Sequence, residues 1–179
     1  MEHNVLNDVR GTGYFLEDGN ELWNRMHYNV ALCPYPLDSE FHGCTIPGTD
    51  NGQVDTAMNQ AGIWSTAPLN SIVGNRASGS FNAMFMDLAA YGRGSNWYNM
   101  CPVQYPLGRL EGNTFHNSLR FGTYLLGYTP TQVSVSVESN GLVTDRNECL
   151  AYTEEGVDNG YPCKVSNNYD YYNVFVGQS

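Results

Sequence analysis

Lysine is almost missing from this chain. Lys164 is the only one in 179 residues, and the other seven cations are arginines, set against 18 acids for a net charge of −10. So thin a cation supply excludes a general binder of nucleic acid, which must neutralise many phosphates, and it excludes adhesion to anionic membranes. Charged residues make up 15% of the chain, against roughly 25% in ordinary globular proteins. Coiled coils and helical bundles, which run on Glu, Lys, Arg, Leu and Ala, are excluded by that shortage. No stretch approaches the ~18 consecutive apolar residues of a membrane-spanning helix. The opening MEHNVLNDVRGTG has neither the basic start nor the apolar run of a signal peptide, which points to synthesis in the cytoplasm without one.

Catalytic signatures are missing too. The chain has no G-x-S-x-G, no phosphate-binding loop, no H-E-x-x-H and no C-x-x-C pair. Its five cysteines, Cys33, Cys44, Cys101, Cys149 and Cys163, form an odd set without zinc-ligand spacing. Cys33 with Cys44, and Cys149 with Cys163, are near enough in sequence to close short loops. The odd count and the lack of a leader favour free, buried thiols instead. The acidic groups Asp50/Asn51/Asp55, Asp145/Asn147/Glu148 and Glu154/Glu155/Asp158/Asn159 do not match an EF-hand. No metal and no cofactor is expected.

Asparagine, glycine and tyrosine fill the space left by charge, with 20, 19 and 13 residues. Aromatics reach 13% of the chain and exclude a disordered polyelectrolyte. Charge is uneven: two arginines face nine acids in residues 1–60, four arginines face two acids in 61–120, and two cations face seven acids in 121–179.

Hydrophobic patterning points to β-structure. Met26, Tyr28, Val30 and Leu32 alternate as in a half-buried strand that Pro34 and Pro36 end. Phe115, Asn117, Leu119 and Phe121 alternate likewise. Val133, Val135 and Val137 alternate ahead of Asn140-Gly141, a hairpin dipeptide. Further strands are expected at 148–153, 161–166 and 169–176, the last with Tyr169, Tyr171, Asn173 and Phe175 on one face. Two short helices are expected. One is near 54–61; the other, at 80–91, has Phe81, Met84, Phe85 and Leu88 at helical spacing. The expected fold is mainly β: an antiparallel β-sandwich or small barrel in the C-terminal half, with a long irregular N-terminal arm. Residues 1–80 would be an extended arm and loop region, and 81–179 a β-rich domain opened by the helix at 80–91. No internal repeat is visible.

In composition the chain resembles virion structural proteins, especially phage capsid-decoration, head–tail and fibre-base proteins. That resemblance implies a non-enzymatic structural subunit of a homo-oligomeric assembly, located in the virion, whose partners are copies of itself and other subunits. A carbohydrate- or receptor-binding β-sandwich is the alternative, with a glycan or cell-surface receptor as partner. A cysteine hydrolase using Cys44 or Cys101 with His42 or His116 is the second alternative. Tyr, Trp and Arg are enriched where one surface binds another. The candidate binding residues on that ground are Trp64, Arg93, Trp97, Tyr98, Tyr105 and Arg109.

Overall fold

The architecture was taken from a computed structural model, which describes residues 1–36, 39, 42–46, 60–87, 101–102, 105–126 and 164–178. Fourteen short strands form three sheets among these residues, and every pairing is parallel. Sheet A holds β3 (Arg25–His27), β6 (Ser71–Val73), β9 (Arg109–Glu111) and β12 (Val165–Ser166). Sheet B holds β1 (Val5–Asn7), β4 (Val30–Leu32), β7 (Arg76–Ser78), β10 (Thr114–His116) and β13 (Tyr169–Tyr171). Sheet C holds β2 (Tyr14–Leu16), β5 (Ala61–Ser65), β8 (Asn82–Asp87), β11 (Phe121–Leu126) and β14 (Val176–Gln178). The chain visits A, B and C in turn and then repeats, each strand pairing with its counterpart one circuit on. This is a parallel β-helix.

Antiparallel strands need only tight hairpins, but parallel ones need a crossover. Here the other two sheets of each turn supply it. The sandwich or barrel expectation is therefore wrong in strand direction, and the irregular N-terminal arm is wrong because β1–β7 lie within residues 1–80. No helix occurs among the described residues. The expected helix at 80–91 meets β8 instead, with 88–91 outside the described residues. Most of the expected helix at 54–61, the hairpin at 132–144 and the strand at 148–153 also lie outside. The expected strands at 24–32 and 169–176 are each two strands separated by a corner.

Each turn places one or two side chains inside. Met26, Ile72, Leu110 and Val165 stack under sheet A, and Leu6, Ala31, Ala77, Phe115 and Asp170 under sheet B. Tyr14, Ile63, Met84 and Thr123 stack under sheet C, beside Leu16, Ser65, Met86 and Leu125. Sheet C is covered on both faces. Its other side carries a ring column of Phe15, Trp64, Phe85 and Tyr124, with centroids 4.8, 6.4 and 5.3 Å apart. Offset and edge-on rings add roughly 0.5–1.5 kcal/mol per pair beyond their burial.

The corner between sheets A and B is two residues long and repeats without variation. Its first residue is left-handed: Tyr28 (φ 56°), Gly74 (66°), Gly112 (67°) and Asn167 (56°), with His3 (57°) ahead of β1. Glycine and asparagine accept that region at least cost. The second residue is always asparagine, namely Asn4, Asn29, Asn75, Asn113 and Asn168. Each of the first four donates twice to its neighbour's amide oxygen. Asn29 donates its backbone N and Nδ2 to Oδ1 of Asn75 at 2.9 and 3.0 Å. Asn75 does the same to Asn113 at 2.9 and 3.1 Å, and Asn113 to Asn168 at 2.9 and 2.8 Å. Asn29, Asn75 and Asn113 are fully buried. The ladder fills the need of buried corner N–H groups that no strand reaches.

Candidate functional site

The corner after sheet B forms a groove. Ser78, at the end of β7, sits beside the corner column of Cys33, Gly79, Asn117 and Tyr172, one residue from each successive turn. Tyr35, Pro36 and Val174 complete the lining of a space of about 330 Å³. Gly79 is left-handed (φ 77°), and a Cβ there would meet the Cys33 carbonyl, so no other residue lets the two turns approach this closely. Tyr35 is braced by Arg10, whose Nη2 donates to its hydroxyl at 3.2 Å with the guanidinium 5.3 Å from the ring centroid. Tyr172 is left-handed (φ 54°) and 82% exposed, an uncommon backbone state for a bulky side chain. Its ring stands edge-on to Tyr171, which stacks flat on His116 at 4.8 Å and 2°. Ser78 Oγ lies 3.3 Å from Nδ1 of His116. The groove therefore offers two tyrosine rings, a hydroxyl and a carboxamide, and among the described residues none of its lining side chains is ionic.

Cys33, at its rim, is bonded to Cys44, and Cys101 is disulfide-bonded as well. This corrects the expectation of free thiols. It also removes the cysteine hydrolase alternative, since neither Cys44 nor Cys101 can ionise to a nucleophile. His42 turns its Nδ1 to the Ser39 carbonyl at 2.6 Å instead. Among the described residues no group of three or more His, Cys, Asp or Glu comes together.

The residues singled out from sequence are scattered. Trp64 is 1% exposed within the ring column on sheet C. Tyr105 is half-buried, and burial raises its hydroxyl pKa. Arg109 projects from sheet A and pairs with Glu111 at 2.9 Å. It lines a second, apolar hollow of about 220 Å³ with Trp23, Asn24, Leu69, Asn70, Ser71 and Gly108. Arg93, Trp97 and Tyr98 lie outside the described residues. Tyr35, Tyr172 and Trp23 were not among the candidates. Their signal was a bulky residue where the chain turns, and it shows only once the turns are known.

The sequence profile of the CEMIP beta-helix family matches residues 1–123. A G8 domain-containing protein of Dictyostelium discoideum is 33% identical over 83% of this chain and 12% of its own length. Communication mutant protein F of the same organism is 30% identical over 85% of this chain and 14% of its own. Human fibrocystin-L is 29% identical over 74% of this chain and 3% of its own. The chain thus spans at most about a seventh of these curated relatives. No solved structure matches it. These eukaryotic relatives overturn the phage virion reading in function and in location. The resemblance behind that reading was one of composition, and a polar, Asn- and Gly-rich β-helix has the same composition. The sandwich on which the carbohydrate-binding alternative rested is absent.

Proposed function

The chain belongs to the CEMIP beta-helix family, and from that premise we propose that it is a disulfide-stabilised coil within the extracellular part of a larger protein, binding a neutral glycan in the groove after sheet B. The groove carries the reading. Tyr35 and Tyr172 line it with aromatic rings, and Ser78 and Asn117 supply hydroxyl and amide groups. Sugar rings present apolar C–H faces and a rim of hydroxyls, which is what such a lining accommodates. Its volume lies at the low end for small-ligand sites and suits one or two sugar units. The bonds at Cys33–Cys44 and Cys101 support an oxidising compartment, where disulfides persist. The role of this groove is binding, with no covalent step. The net charge of −10 keeps nucleic acid and anionic membrane out of the partner set.

Retention on immobilised neutral oligosaccharides tests the proposal. Tyr172→Ala should weaken retention about tenfold, the equivalent of roughly 1.4 kcal/mol, and leave thermal melting unchanged because the side chain is exposed. Retention that is absent, or indifferent to Tyr172, would remove the groove from consideration.

A further inference from the structure

Sheet A carries a second constellation, on a different face from the groove. Glu2 pairs with His27 across an isolated parallel bridge, one turn before β3. Ser71 lies one turn after β3, paired with Arg25 and therefore diagonal to His27. All three point outward, because the inward positions of these strands are Met26 and Ile72. Three successive turns thus deliver a hydroxyl, an imidazole and a carboxylate to one line. His27 Nε2 is 2.7 Å from Ser71 Oγ. Its Nδ1 is 3.6 Å from Glu2 Oε1, an oxygen also held by Arg25 Nη2 at 3.0 Å. The imidazole is buried, while Ser71 lines the hollow between Trp23 and Arg109.

That order is the logic of an activated nucleophile: a hydroxyl in reach of a base, and the base oriented by a third group. Apo contacts of this kind are often long and tighten with substrate. We propose that Ser71, His27 and Glu2 form a nucleophile, a general base and a positioning residue that hydrolyse small acyl esters held in the hollow beside Trp23 and Arg109.

Ser71 Oγ adds to the ester carbonyl carbon and passes its proton to His27 Nε2. Collapse breaks the bond to the alcohol oxygen, which leaves with that proton, and the acyl group stays on Ser71. Water then adds to the acyl carbon, giving its proton to His27. The acid departs as Ser71 recovers the proton. The sum is ester plus water to acid plus alcohol. Arg109, one turn beyond Ser71 in register, is the cation placed to meet the oxyanion. Leu69 and the 77%-exposed Trp23 provide the apolar wall.

His27 must be neutral to act as base. Burial lowers its pKa, and Arg25 and Arg109 lower it further, against the opposing pull of Glu2. The imidazole is therefore the free base at neutral pH. No linear motif signals such a site, because residues 2, 27 and 71 meet only through the coil.

A fluorophosphonate probe tests this on the whole 179-residue chain. Mass spectrometry should find one adduct, on Ser71, with loss of fluoride. Ser71→Ala should abolish it, and His27→Gln should slow it by about 100-fold, the scale of lost general-base assistance. Labelling should rise with pH through a midpoint below the ordinary histidine value, and Glu2→Gln should move that midpoint lower still. A merely structural Glu2 would leave the midpoint in place. Melting curves establish that each variant is folded. If His27→Gln unfolds, the midpoint shift in Glu2→Gln, a change at a surface carboxylate, decides the matter. Adducts spread over other serines, or a Ser71 rate no faster than theirs, would overturn the proposal.

Discussion

Asn75→Ala should be among the most damaging single changes in the described coil, out of proportion to the few atoms it removes. The wild-type carboxamide makes four bonds. Its Oδ1 accepts from Asn29 N and Nδ2, and its Nδ2 donates to Met26 O at 2.7 Å and to Asn113 Oδ1. Truncation leaves the Asn29 backbone N–H without a partner in a region closed to water, while the Met26 carbonyl keeps its place in the β3–β6 ladder. Asn29 Nδ2 keeps Met1 O, and Asn113 Oδ1 keeps the Asn75 backbone N–H. A buried group left unpaired costs roughly 1–3 kcal/mol, and the other lost bonds add about 1 kcal/mol, so the change should cost about 3 kcal/mol. Asn4→Ala is the internal control. Asn4 stands at the exposed end of the ladder and only donates to it, so its loss should cost about 1 kcal/mol. Urea unfolding followed by circular dichroism measures both, and hydrogen exchange at the Asn29 amide reads the orphaned donor directly. Equal losses for the two variants, or a loss under about 1.5 kcal/mol for Asn75→Ala, would refute the claim that the buried ladder sets stability.

Replacing Cys33 and Cys44 by serine frees a closure of 11 residues; it should cost about 3 kcal/mol on the chain-entropy account, and reductant should destabilise the parent by about that much more than the variant, which keeps the bond at Cys101. Trp64→Ala should lose roughly 3–5 kcal/mol, read from denaturant midpoints, because the ring is sealed between Phe15 and Phe85. Asp170 points into the coil, and burial lifts its pKa to about 6 despite the hydroxyl of Thr123. A raised folded pKa means that the native state holds the proton more tightly. Its stabilising share is thus complete below about pH 4 and lost as pH rises through 6. With half the group in solvent the effect is discounted to about 1 kcal/mol. Asp170→Asn should flatten that stretch of the stability–pH curve, and an unchanged curve would count against the placement.

The sequence announced β-structure but hid its direction. Three-residue strands carry one inward side chain each, too few for alternation to declare itself. β8 is buried at five successive positions, and a strand covered on both faces has no period of two. Phe81, Met84 and Phe85 then fit a helix by accident of spacing. The asparagines were visible as a count and opaque as a pattern, because their separations differ at every step. Likewise Trp64 looked like a binding residue because aromatic content carries no record of which face a strand turns outward. Ser71, His27 and Glu2 form no linear motif for a related reason: they come from different turns.

The unequal separations along the ladder uncouple chain length from turn number. Successive members stand 25, 46, 38 and 55 residues apart, yet each marks one circuit. The surplus falls in sequence between β4 and β5, β8 and β9, and β11 and β12. A lineage can lengthen any of these, and so alter what the coil displays, without disturbing the alignment of a single strand pair. Gain or loss of a whole circuit is equally neutral to alignment. One residue added inside the two-residue corner is not, because it would rotate an asparagine out of its column. Heritable change is thus channelled into display at some corners and forbidden at others, and one sheet geometry can carry many different surfaces.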